Sequence, residues 1–103
     1  MTQQNHKAIR DKIPEIVKKS GKKCSITALS DDRFLIEMEN KLLEEVNEYL
    51  ESKSESELGD ILEVIYRIAE LRGLKQMDLE KIRKDKASTH GTFSKNYFLI
   101  DTE

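Results

Sequence analysis

Two long runs of apolar residues at helical spacing, joined by a linker too short to let them drift apart, constrain this chain more than any other feature. With Leu42 as zero and about 100° per residue, Leu35, Met38, Leu42, Val46 and Tyr49 fall within roughly 40° of one line. Leu58, Ile61, Leu62, Ile65, Ile68 and Ala69 make a second stripe, broadened by Val64 and Leu71. Ser30-Asp31-Asp32 supplies N-cap chemistry for the first helix, which is expected to run to about Leu50. The second is expected from about Glu55 to Arg72, with Gly73 ending it. Between them lies a short segment rich in serine and charge, which favours an antiparallel helical hairpin.

Each helix carries two acids three residues apart, Glu45/Glu48 and Glu57/Asp60. A three-residue step turns about 300°, so each pair shares a face, at the edge of its apolar stripe. Glu44 and Glu51 point away as solvated acids do. Acids on a core-facing side cost free energy unless they are paired or bind a metal. A hairpin that brings the four carboxylates together offers hard oxygen donors to a divalent cation, and without one they repel. Bland alternatives exist for each pair. Ser54-Glu55-Ser56-Glu57 fits a capping box in which Glu57 reaches back to the Ser54 amide. Glu45 can also pair with Lys41 along its own helix.

The run Glu44-Glu45-x-x-Glu48 followed by Glu57-x-x-Asp60, within KLLEEVNEYLESKSESELGDILEVIYRIAELRG, resembles the signature of the MazG-type all-α nucleoside triphosphate pyrophosphohydrolases. The short members related to phosphoribosyl-ATP pyrophosphohydrolase are especially similar, with an opening like Arg10-Asp11-Lys12-Ile13-Pro14-Glu15-Ile16 and a close like Lys86 through Gly91 and Phe93. The resemblance implies that Glu45, Glu48, Glu57 and Asp60 bind magnesium, for which manganese can substitute. It places Arg10, Lys12, Lys86 and His90 on the substrate's phosphates, with His90 standing where the family often has arginine. The linker between the acid pairs is shorter than in the longer family members, which leaves room for a smaller base pocket.

A chain of 103 residues is one domain with a modest core, here 1–103. A net charge of −2 gives no support for nucleic-acid binding over the whole surface. The lone Cys24 cannot close an internal disulfide and fits a reducing compartment. No signal-peptide pattern and no membrane-length apolar run appears, so a soluble, cytoplasmic protein without a membrane partner is expected. Met1–His6 reads as a loose polar start. A first helix is expected with Asp11 as N-cap, Pro14 in its first turn and its end near Ser20-Gly21. Cys24–Leu29 reads as an extended segment or short strand. Gly59 weakens the second long helix by about 1 kcal/mol relative to alanine, which suggests a packing or close-approach reason there. Asp78 to about Thr89 reads as a third core helix whose face passes from Leu79 and Ile82 to Lys86 and His90. Phe93 and Tyr97–Ile100 form an apolar tail able to pack on its own hairpin or on a neighbouring subunit.

The expected fold is therefore all-α: an antiparallel hairpin with flanking helices in a MazG-like bundle, with room for two short extended segments. The expected activity is magnesium-dependent hydrolysis of a nucleoside triphosphate between its α- and β-phosphates, with clearance of non-canonical nucleotides as a role. Glu44, Glu45 or another of the ligand carboxylates takes the proton of the attacking water, and the sequence does not choose among them. The broad apolar arc of the second helix and the tail predict a homodimer or homotetramer. A different class of reading is a non-catalytic helical interaction module, whose acids only cap helices and form surface pairs.

Overall fold

The computed structural model describes residues 6–103, and the start expected to be loose lies outside them except for its last residue, His6. Four helices follow in chain order: α1 (Ile13–Lys19), α2 (Asp31–Ser52), α3 (Glu55–Leu71) and α4 (Gln76–His90). Among the described residues there is no strand, so the protein is all-α. Cys24–Leu29 lies outside the helices and has no strand to pair with.

The hairpin of α2 and α3 is the centre of the fold. Ser30 opens α2 in extended conformation, and its Oγ accepts the Arg33 N–H at 3.3 Å. Asp31 and Asp32 add negative charge at the positive end of the helix dipole. The helix continues to Ser52, past the expected Leu50, because nothing before Lys53 interrupts the backbone ladder. Lys53 takes the left-handed conformation at φ 58°, and its N–H closes on the Tyr49 carbonyl at 2.7 Å. With Ser54 it makes a two-residue connection, and that forces α3 back along α2. Among the described residues, Met38 on α2 and Val64 and Ala69 on α3 are the buried apolar side chains. The Arg67 guanidinium lies 5.8 Å from the centroid of the Phe34 ring, tying the two helices across the pair.

The flanking helices are held differently. Gly73, at φ 86°, turns the chain out of α3 while the Leu74 N–H returns to the Ala69 carbonyl at 2.8 Å. The carboxylate of Asp78 then accepts the Lys75 N–H at 2.9 Å and starts α4. Although α4 touches α3, it buries none of its own residues, so the expected third core helix is a surface helix. At the other end, α1 packs on no helix. Its N-cap is Lys12, without a side-chain hydrogen bond, and not the expected Asp11. Pro14 sits in the first turn, where its missing N–H costs nothing. The chain is elongated: its radius of gyration is 18.1 Å, against about 13 Å for a compact chain of this length.

Candidate metal centre

The reversal at Lys53-Ser54 sets the first turns of α3 beside the later turns of α2, and the acids meet there. Carboxylate oxygens of Glu45, Glu57 and Asp60 lie within 4.8 Å of one another, as do those of Glu44, Glu45 and Glu48. Glu45 belongs to both sets and is only 7 % exposed. Glu57 and Asp60 are half-buried, whereas Glu48 is exposed at the rim.

The capping-box alternative for Glu57 is not taken. The Ser54 N–H donates to Ser52 Oγ at 3.2 Å, and Ser54 has no side-chain cap bond. Glu57 is thereby free to turn toward Glu45. The pairing of Glu45 with Lys41 is present: Lys41 Nζ stands 3.4 Å from Glu45 Oε1 and 3.6 Å from Glu44 Oε1. A second cation comes from the N-terminal arm, where Arg10 Nη2 donates to Asp60 Oδ1 at 2.7 Å.

Two cations among five carboxylates leave an excess of negative charge. Oε2 of Glu45 and Oε2 of Glu57 are shielded from solvent and have no hydrogen-bond partner. The Glu57 carboxyl is pushed up to about 7: first by a hydrogen bond with Glu45, which requires a proton on one of the pair, then by desolvation and by repulsion from Glu48, Glu45 and Asp60. An unpartnered, desolvated carboxylate oxygen on each of two facing helices could hold a hard divalent cation, which would take the place of the shared proton. Shielded acids without a donor are otherwise hard to retain in a fold.

Of the residues expected on the phosphates, Arg10 alone is brought to the acids. Lys12 is exposed at the start of α1. Lys86 and His90 are exposed on the last turns of α4, and among the described residues neither lies within ion-pair distance of an acid. The His90 ring instead has its Nδ1 2.7 Å from Thr89 Oγ1. The contact that sequence reasoning missed is Arg10 with Asp60, fifty residues apart and linked by no periodicity.

No helix among the described residues is long and apolar enough to cross a membrane. No family model matches the chain, and neither a curated protein nor a solved structure does.

Proposed function

We propose that the chain is a MazG-type pyrophosphohydrolase, using magnesium to hydrolyse a nucleoside triphosphate to its monophosphate and pyrophosphate. The observation that carries this reading is the meeting of Glu45, Glu57 and Asp60 across the hairpin, with two shielded oxygens left without donors. Glu45, Glu48, Glu57 and Asp60 would hold the ion. The chemistry that magnesium supplies at such a site is neutralisation of phosphate charge and acidification of water. In the hydrolysis, water oxygen adds to one phosphorus as the bridging P–O bond breaks, and the water's proton passes to a carboxylate. We assign that transfer to Glu44, which is half-buried beside Glu45 with Lys41 Nζ 3.6 Å from its Oε1. Arg10 spends one nitrogen on Asp60 and keeps its other donors for a phosphate oxygen. Lys12, Lys86 and His90 complete the phosphate contacts only if their segments close over a bound substrate.

The test is a magnesium or manganese titration followed by thermal unfolding, with pyrophosphate release measured across canonical and modified nucleoside triphosphates. Metal-specific stabilisation that Glu57→Ala abolishes, together with pyrophosphate release, is the expected result. Indifference to metal supports the second reading, a non-catalytic interaction module. That reading is favoured by one observation: the tail Phe93 and Tyr97–Ile100 is almost fully exposed and ready for a partner.

A further inference from the structure

The two sets of acids in the metal centre are not equivalent. Glu44, Glu45 and Glu48 form one, Glu45, Glu57 and Asp60 the other, and Glu45 is common to both. Lys41 lies over the first. Its Nζ is 3.4 Å from Glu45 Oε1 and 3.6 Å from Glu44 Oε1, because steps of three and four residues along α2 set one ammonium against two neighbouring acids. Glu45 Oε2 has no such donor: it is shielded from solvent and unpartnered, as is Oε2 of Glu57 in the second set. Glu45, only 7 % exposed, thus presents one oxygen to a cation that the chain supplies and leaves the other without one. Lys41 is also unlike the other lysines paired along a helix among the described residues. Its side chain is 21 % exposed, against 77 % for Lys19 and 75 % for Lys81. Holding an ammonium under that much cover costs side-chain freedom and hydration. A pair along the helix with lysine ahead of glutamate is the weaker order and does not offset that cost.

We infer that Lys41 is a resident cation that limits the substrate-free centre to one divalent ion, held by Glu45, Glu57 and Asp60 with Glu48 at the rim, and that it keeps Glu44 off the metal. The inference rests on the magnesium reading and adds to it the number of ions and the reason for that number. A magnesium ion bonds oxygen at about 2.1 Å, so a second ion on Glu44 Oε1 and Glu45 Oε1 would stand within about 6 Å of the ammonium. Lys41 is largely covered, so solvent screens that repulsion poorly. The second ion would also repel the first, with which it would share Glu45. Lys41 places one positive charge there without the octahedral ligand set that a hard ion demands. Glu44 thereby stays an unligated carboxylate beside the ion, the state in which it can accept a proton from water. Lys41 is a positioning residue in this account, because it acts through Glu44 and Glu45.

Bound manganese, counted on the full chain without nucleotide by electron paramagnetic resonance, tests this. The parent is expected to hold one ion per chain under manganese that saturates it. Lys41→Met keeps the stem and removes the charge, and it is expected to hold two ions, spin-coupled because they share Glu45. Lys41→Arg restores the charge and is expected to return the count to one. Adding Glu44→Gln to Lys41→Met is expected to remove the second ion and the coupling with it. A parent that holds two ions overturns the inference, as does a count of one in Lys41→Met. A second ion that shows no coupling is an adventitious ion only, and it overturns the inference as well. A parent that holds no ion is a different result: it sinks the magnesium reading, and the inference falls with it. Should Lys41→Met fail to fold, Glu44→Gln in the parent decides. One ion before and after is expected, whereas a count that falls shows Glu44 to be a ligand and overturns the inference.

Discussion

Helices α3 and α4 are close in length, 17 and 15 residues, yet they exist for different reasons. In α3 the apolar stripe is wide and regular, and Val64 and Ala69 are buried against the rest of the fold. In α4 no residue is buried, and the visible supports are local: Lys81 with Asp85 at 2.8 Å, Arg83 Nε with Glu80 at 3.0 Å, and the Asp78 cap. Pairs of that kind contribute a few tenths of a kcal/mol each at an exposed surface. The lesson concerns function as much as stability. Packing fixes the direction of a side chain, so the acids of α3 are aimed at those of α2 before any ligand arrives. Lys86 and His90 stand on a helix without that constraint, and any work they do must follow a closing motion.

The largest contrast between the two helices should appear in turnover. Asp60→Asn keeps the shape of the side chain and removes an anionic donor. On the proposed reading, the loss of pyrophosphate release should exceed the ~10–100-fold typical of residues that only support a metal ligand. Lys86→Ala should raise KM with a much smaller effect on kcat, as expected of a contact made equally in ground and transition states. Steady-state kinetics at several magnesium concentrations separates the two. Equal losses would show that α4 is as preorganised as α3.

Stability provides the next contrast. Met38→Ala removes a buried side chain at the α2–α3 contact and should cost about 2–4 kcal/mol, whereas Ile82→Ala on α4, at an exposed position, should stay within about 0.5 kcal/mol. Denaturant unfolding of both variants checks this. A large loss for Ile82→Ala would mean that α4 belongs to the core after all.

The pH dependence isolates the acids themselves. Between 4.5 and about 7 the folded state holds a proton at Glu57 that the unfolded chain has released. The unfolded state therefore binds fewer protons, and this group's contribution to stability falls as pH rises through that window. Metal-free protein should accordingly show a lower Tm at pH 8 than Glu57→Gln does, with the two converging toward pH 5. Saturating magnesium should remove most of the gap in the parent. A parent Tm that rises across the window relative to Glu57→Gln would reverse the sign and reject the crowding of carboxylates.

The smallest effect concerns Gly59. A Cβ at this position meets nothing within 4 Å, so no close approach among the described residues explains the glycine. Gly59→Ala should stabilise α3 by roughly 0.5–1 kcal/mol, the ordinary helix-propensity difference. Thermal unfolding checks it, and a destabilised variant would point to a neighbour that the isolated chain does not contain.

Much of this hairpin was legible because its signals are periodic. The stripes through Leu42 and Ile65, the Ser30 cap and the shared side of Glu45 and Glu57 all follow from turn geometry and a short connection. What escaped depends on competition between local groups. Ser54 to Glu57 has the spacing of a capping box, but Ser52 Oγ takes the Ser54 N–H, which leaves Glu57 to the cluster. Asp11 has the chemistry of an N-cap, yet the helix begins one residue after Lys12 with no side-chain cap. The stripe of α4 fades after Ile82, and nothing in its spacing says whether the helix packs along its length or only at its start. Arg10 was expected at the site through substrate phosphates, and the sequence contains no sign that its partner within the chain is Asp60.

That last contact makes the N-terminal arm a gauge of the site's charge. The pair is exposed and bridges fifty residues, so its net hold is on the order of 0–1 kcal/mol, and α1 adds no helix packing to it. On the proposed reading, a divalent cation would compete with Arg10 for the carboxylate of Asp60. Occupation by one would weaken the other by an equal free energy, whichever arrives first. Metal binding would then loosen the Arg10–Asp60 pair and free the guanidinium for a phosphate, and the rate of protease cleavage at Lys7 or Lys12 would report the state of the carboxylates from a distance.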